Sequence, residues 1–219
     1  MIELTIARDI DRIVYNDFIY NQPWINILDM LSVSCIETIV DIGASSGISS
    51  LWLLGKLPNV KTIYCFEPDL ENYNMLLINL SKFEDKIVPH NLGIYYGMES
   101  SKVYGIGDNS PLGYCVQTIK DRTVTEHVFT EYEGKVFKLA ELESIVNFPV
   151  DLIKVDIEGS EYNVIENSTI LKQARYLLLS FHNQYESYVQ DFIKTHLNNY
   201  ETIFFGGSGV YFDVFLERK

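Results

Sequence analysis

The sequence predicts an α/β fold of three layers, a mostly parallel sheet covered by helices on both faces, on the strength of three observations. Short unbroken apolar runs at Thr38–Ile42, Thr62–Phe66, Ile87–Leu92, Asp151–Ile157 and Tyr176–Phe181 alternate with helical periodicity. Such runs read as strands buried on both faces and joined by right-handed crossovers. Two further runs, Glu201–Phe205 and Val210–Leu216, flank Gly206-Gly207-Ser208-Gly209, the pattern of a closing antiparallel hairpin. The length of 219 residues, 47% hydrophobic and 21% charged, suits one such layered domain of ordinary globular composition.

Taken in order, residues 1–35 place Ile13, Val14, Phe18, Ile25, Leu28 and Leu31 near one face, so a leading helical segment is expected there. Residues 36–219 carry the main domain. Thr38–Ile42 opens it as a strand and Ile48–Leu57 follows as a helix. After the strand Thr62–Phe66, Leu70, Tyr73, Leu77 and Leu80 recur at three- or four-residue steps and mark a second helix, with Pro68 placed where a missing N–H costs least. Beyond the strand Ile87–Leu92 the pattern loosens into an irregular excursion, about residues 93–135. Regularity returns with a strand at Lys135–Leu139, a short helix at Glu141–Val146, the strand Asp151–Ile157, a helix from about Ser160, and the strand Tyr176–Phe181.

Composition excludes several partners. Seventeen Lys and Arg against thirty Asp and Glu give a net charge of −13, with no basic stripe to meet a phosphate backbone, so no nucleic-acid partner is expected. Cys35, Cys65 and Cys115 are odd in number and lack C-x-x-C spacing, which speaks against a disulfide framework or a zinc site. No apolar run reaches membrane-spanning length, and Met1–Arg12 lacks the apolar stretch of a signal peptide. No membrane partner is expected, and a cytoplasmic location fits best. Nothing in the sequence marks an oligomeric interface.

In an open α/β sheet, ligands bind beyond the carboxyl ends of the strands, near the point where strand order reverses. The first strand ends in Asp41-Ile42-Gly43-Ala44-Ser45-Ser46-Gly47, whose glycines allow a tight turn and close approach to a ligand. The spacing of Gly43, Ser45 and Gly47 suits a loop under an amino acid and a nucleoside, with Asp41 facing an ammonium group. A bare glycine turn is the alternative. Glu67 lies 20 residues past Gly47, where a carboxylate accepting from ribose hydroxyls is expected. Its alternative is a solvated acid favoured at a helix N-terminus.

The strand Asp151–Ile157 puts Lys154, Asp156 and Glu158 on one parity. Lys154 and Asp156 either pair structurally, as burial would demand, or line the crevice. Glu161 falls on the first turn of the next helix, where complementing the helix dipole is its default role. The following strand brings His182 and Asn183 to the same rim. His182 is the best-placed base there, and a hydrogen-bonded structural histidine is the alternative. Asp156, His182 and Asn183 could hold a divalent cation, which is not expected because a hard cation prefers more carboxylate oxygens. Fifteen tyrosines, among them Tyr15, Tyr20, Tyr95, Tyr96, Tyr104 and Tyr114, could stack on a sugar, although compositional bias accounts for them more simply.

Three segments carry a resemblance: Val40-Asp41-Ile42-Gly43-Ala44-Ser45-Ser46-Gly47, Phe66-Glu67-Pro68-Asp69-Leu70-Glu71-Asn72, and Ile153-Lys154-Val155-Asp156-Ile157-Glu158-Gly159-Ser160-Glu161. In this order, over about residues 37–183, the chain resembles the FkbM-type methyltransferases. The resemblance implies a class I, Rossmann-like methyltransferase fold with a seven-stranded, mostly parallel sheet and an antiparallel strand in the C-terminal hairpin. It implies S-adenosylmethionine as cofactor and S-adenosylhomocysteine as product. Asp41, Gly43, Ala44, Ser45 and Gly47 would cradle the methionine end. Glu67, followed by Pro68, would hold the ribose, with adenine near Asn91 to Gly93. It further implies an acceptor hydroxyl on a sugar, glycan or related small molecule. Asp156 or His182 would take the hydroxyl proton and Glu158 would orient the acceptor. Ile94, Ala140 and Ser180 stand where the family tends to carry acids. Two rivals are a donor-binding protein without turnover and, on weaker grounds, an NAD-dependent Rossmann enzyme, which the lack of Gly-x-Gly-x-x-Gly opposes.

Overall fold

Alternation along the first strand sorts side chains into two cores. In β1 (Thr38–Ile42), Ile39 packs on one side of the sheet with Ile63, Leu76 and Leu152, while Val40 and Ile42 pack on the other with Ile153, Val155 and Leu177. The computed structural model describes residues 35–97, 102–106, 114–117, 129–131 and 138–219. The leading helical segment expected within residues 1–35 lies outside the described residues, apart from Cys35.

The first core is closed by α1 (Ile48–Lys56) and α2 (Leu70–Asn79), which link β1 to β2 (Thr62–Phe66) and β2 to β3 (Ile87–His90). Asp69 caps α2, its side chain accepting from the N–H groups of Glu71 and Asn72. Beyond β3, the pair β4 (Gly93–Ile94) runs on to a stretch expected to be irregular. Its backbone instead forms a three-stranded antiparallel sheet in the order β6-β5-β7, from β5 (Lys102–Ile106), β6 (Tyr114–Gln117) and β7 (Phe129–Glu131). The strand expected at Lys135–Leu139 is reduced, among the described residues, to β8 (Leu139–Ala140). It pairs with β4 outside the main sheet. The expected helix at Glu141–Val146 is a single 3₁₀ turn, Leu142–Ser144.

The main sheet resumes with β9 (Leu152–Val155), followed by α3 (Glu161–Asn167), β10 (Tyr176–His182), α4 (Glu186–His196), β11 (Tyr200–Ser208) and β12 (Tyr211–Arg218). Helix α4 is not read from the sequence. Its apolar contribution is three buried residues, Val189, Phe192 and Ile193, on an otherwise polar segment. The hairpin turn is tighter than expected: Gly206 to Ser208 belong to β11, and Gly209-Val210 alone turn the chain, Gly209 with φ +66°.

The seven strands lie in the order β11-β12-β10-β9-β1-β2-β3. Every pairing from β10 to β3 is parallel, and β12 is antiparallel to both neighbours. Chain order therefore reverses at β1, whose neighbours β2 and β9 are reached in opposite directions. The crevice beyond the carboxyl ends of these strands is where such sheets take their ligands. No helix among the described residues is long and apolar enough to cross a membrane.

Candidate active site

The register β1–β9 sets Asp41 beside Lys154 and the register β1–β2 sets it beside Cys65, so all three face the α1–α2 layer. Asp41 is fully buried. Its Oδ2 accepts from Ser49 and Ser50 at 2.6 and 2.7 Å, and its Oδ1 lies 3.1 Å from Lys154 Nζ. Asp41 thus sits beneath the glycine loop with both oxygens engaged within the chain, where the sequence reading had it face a ligand's ammonium group. Lys154 pairs with Asp41 and also reaches Asp156 Oδ2 at 3.7 Å. Buried Cys65 lies 3.2 Å from Ser50 Oγ, and burial pushes its thiol pKa up.

The loop above this pair is shaped by backbone. Gly43 and Ala44 donate to the Phe66 carbonyl, and Gly43 and Gly47 take φ of +81° and +83°. A Cβ on Gly43 would come within 1.9 Å of the Asp156 carbonyl oxygen, so the glycine lets the loop lie against the end of β9. Ala44 is buried, whereas Ser45, with φ +48°, is exposed. The Ser45 N–H donates to Glu67 Oε2 and the Asp69 N–H to Glu67 Oε1, each at 2.9 Å, which binds the loop to the end of β2. Burial pushes the Glu67 carboxyl up to about 7, against those two hydrogen bonds. Asn91 donates to the carbonyls of Glu67 and Pro68, fixing the same corner. Glu67 is no solvated acid; it is 6% exposed.

On the other side of β1, the end of β9 and the end of β10 converge. Glu161 is fully buried and accepts from the N–H groups of Ile157 and Gly159, an arrangement that holds Glu158 at φ +57° and Gly159 at φ +112°. The same carboxylate takes His182 Nδ1 at 2.8 Å. His182 Nε2 then points between Asp156 Oδ1 and Glu158 Oε2, 3.8 and 3.7 Å away. Burial alone would lower the His182 pKa, but the facing carboxylates of Glu161, Glu158 and Asp156 outweigh it and push it up to about 10. Burial pushes Glu158 up to about 7, while the imidazole pulls the other way. Asn183 follows the strand end at φ +62°.

Two further residues complete the rim. Asp213, opposite Ser180 in the β10–β12 register, accepts from Ser180 Oγ at 2.7 Å, and burial raises its pKa against that bond. Tyr211 sets its ring edge-on to His182, with centroids 5.4 Å apart. The signal for Asp213 is a single charge inside the apolar run Val210–Leu216, at the alternation that faces the crevice. A groove of about 440 Å³ runs between the start of α4 and the hairpin turn, with Tyr185, Glu186, Gln190, Ser208 and Phe212 in its walls. Tyr95 and Tyr96 do not reach it. Tyr95 is buried, and Tyr96 exchanges backbone hydrogen bonds with the Asn163 amide and bonds Glu143 through its hydroxyl.

A sheet in this order, with a glycine turn after β1 joined to an acid after β2, is the framework of the class I methyltransferases. The chain belongs to the FkbM methyltransferase domain family, whose model matches residues 41–202. Among solved structures it resembles the methyltransferase FkbM from Methylobacillus flagellatus KT, with a TM-score of 0.58 and 18% identity over 86% of this chain. It spans 45% of that protein's length. It also resembles M. capricolum TrmK in complex with S-adenosylhomocysteine (TM-score 0.51, 12% identity, 90% of this chain and 69% of that one). A third is Streptococcus pneumoniae Sp1610, a tRNA (m1A22) methyltransferase by its description, in complex with S-adenosyl-L-methionine (TM-score 0.50, 13% identity, 88% and 72%). No curated protein matches the sequence.

Proposed function

We infer that the protein is an S-adenosylmethionine-dependent O-methyltransferase acting on a hydroxyl of a sugar, glycan or related small molecule. One observation carries the donor half: the glycine loop, exposed at Ser45, is joined to the buried Glu67 carboxylate at the point where strand order reverses. These residues fit the cofactor. Glu67 spends one lone pair of each oxygen on backbone N–H groups and keeps others for ribose hydroxyls. Gly43, Ala44, Ser45 and Gly47 would cradle the methionine end with their backbone, and Asn91 with Pro68 would shape the adenine end. Asp41 serves this loop from below, as an anchor.

When bound, the cofactor would supply an activated methyl group on a sulfonium sulfur for the acceptor oxygen, with S-adenosylhomocysteine as the leaving product. The chain's own task is alignment in a site that excludes water, plus removal of the hydroxyl proton, worth roughly 10²- to 10⁴-fold. Asp156, with a third of its side chain exposed, suits that proton better than His182. Both imidazole nitrogens face carboxylates and Nδ1 is bonded to Glu161, so His182 is held among acids instead of being open to the hydroxyl. The groove between the start of α4 and the hairpin turn offers aromatic rings next to hydroxyl, amide and carboxylate groups, which suits a hydroxyl-rich neutral acceptor. The acidic rim and the net charge of −13 disfavour an RNA acceptor.

Titration with S-adenosylhomocysteine, with NAD in parallel and Glu67→Ala as control, tests the donor half. Saturable binding of the first ligand alone, weakened by the substitution, supports it; preference for NAD overturns it. Methyl transfer across a panel of glycans and small polyols then tests the acceptor half. Donor binding with no product on any member would favour the reading as a binding protein without turnover.

A further inference from the structure

The cluster at the ends of β9 and β10 holds a pattern that proton transfer alone does not use. Asp156, Glu158 and His182 each offer one donor atom, and these atoms lie within 4.8 Å of one another. His182 is 8% exposed, yet no hydrogen bond among the described residues reaches its Nε2, which stands 3.7 and 3.8 Å from two carboxylate oxygens. That is too long for hydrogen bonds and somewhat wider than the roughly 2.8–3.6 Å between adjacent ligands about 2.0–2.2 Å from a shared cation, so small side-chain rotations would have to draw the three donors inward. Its other nitrogen is already fixed. Glu161, fully buried and held by two backbone N–H groups, takes Nδ1 at 2.8 Å. A carboxylate behind the imidazole is the arrangement that aims and strengthens a metal-binding histidine.

Charge points the same way. Asp156, Glu158 and Asp213 face this space with the Glu161 carboxylate behind the imidazole, while Lys154 beside it is committed to Asp41 and reaches Asp156 through Oδ2. Tyr211 covers the imidazole edge-on and brings no charge of its own to the group. Two oxygens and one imidazole nitrogen form a mixed donor set that suits a first-row divalent cation such as Mn²⁺ more than Mg²⁺ or Ca²⁺, which favour oxygen alone.

We propose that Asp156, Glu158 and His182 bind a divalent transition-metal cation at the acceptor end of the crevice. This rests on the reading of that rim as the acceptor site. The three protein donors leave coordination positions for acceptor oxygens, and a hydroxyl so held gives up its proton more readily. The acceptors selected are those that present two neighbouring oxygens, such as a vicinal diol.

The test is calorimetric titration of metal-stripped protein with MnCl₂ and with MgCl₂, for the parent, Glu158→Gln and Asp156→Asn, each also titrated with S-adenosylhomocysteine. The expected result is one Mn²⁺ per chain, weaker Mg²⁺ binding, and an Mn²⁺ affinity reduced about tenfold or more in both variants while S-adenosylhomocysteine binding persists. Absence of saturable Mn²⁺ binding, unchanged affinity in both variants, or Mg²⁺ bound as tightly as Mn²⁺ would overturn the site. Retained S-adenosylhomocysteine binding in those cases leaves the methyltransferase reading standing. Its loss in the parent protein would sink that reading separately.

Discussion

Asp41 and Lys154 stand side by side on neighbouring strands, and the 3.1 Å bridge between them is made with both side chains out of water. The pair lies directly under the glycine loop, with Lys154 Nζ also 3.3 Å from the Gly43 carbonyl, so its integrity fixes that loop's footing. Lys154→Met leaves Asp41 buried with only Ser49 and Ser50 as donors, and the expected loss is about 3–5 kcal/mol of stability. Asp41→Asn combined with Lys154→Met removes the orphaned charge and keeps an acceptor for the serines, so most of the loss returns. Urea unfolding of parent, single and double variants checks this; a double variant no better than the single one would contradict it.

Gly43 and Gly47 share a left-handed backbone but differ in surroundings. Gly43→Ala meets both the φ penalty and the Asp156 carbonyl, which is backbone and cannot step aside, so the loop must lift away from β9. Gly47→Ala meets the Leu80 and Leu76 side chains, at 3.1 and 3.2 Å. The expectation is loss of S-adenosylhomocysteine binding by tenfold or more in Gly43→Ala, and a cost of about 1–2 kcal/mol with binding largely kept in Gly47→Ala. Calorimetry and thermal melts on the two variants separate these outcomes.

Legibility followed sequence distance and periodicity. Glu67 could be read because its offset from Gly47 along one chain segment reflects a strand–helix–strand unit of fixed size. The parity of Lys154, Asp156 and Glu158 could be read because strand alternation is local. What lay hidden depended on register between distant strands. Asp213 reaches the rim only because β12 pairs with β10 so that it faces Ser180. Glu161 reads as a dipole complement until the crossover brings His182, 21 residues on, against it. Helix α4 lacks a broad apolar stripe, so packing rather than pattern makes it a helix. The sheet formed by β5, β6 and β7 sits in a segment whose glycines mask alternation.

Glu161 is a positioning residue, since it touches His182 and the backbone of the β9 loop but does not face the crevice. Glu161→Gln keeps the shape and an acceptor oxygen for one partner while removing the charge behind the imidazole. Turnover should fall by about 10–100-fold with the S-adenosylhomocysteine dissociation constant unchanged within about twofold. A purely structural role would move both together. Steady-state kinetics beside calorimetry reads the difference.

Glu67 gives the chain a pH dependence of definite sign. Burial raises its carboxyl from 4.5 to about 7 in the folded state, so between those values the folded protein holds a proton that the unfolded chain has released. Stability therefore declines as pH rises through this window. At 1.36 kcal/mol per pKa unit the decline attributable to Glu67 is at most about 3 kcal/mol. Glu67→Gln does not titrate there. Groups common to both proteins cancel in the difference, so the variant's stability relative to the parent should climb between pH 4 and pH 8. Urea unfolding across that range measures it, and a flat difference would show that Glu67 ionises normally in the folded protein. The same carboxylate accepts ribose hydroxyls best when ionised, so S-adenosylhomocysteine should bind the parent more tightly as pH rises through the window and show no such trend with Glu67→Gln.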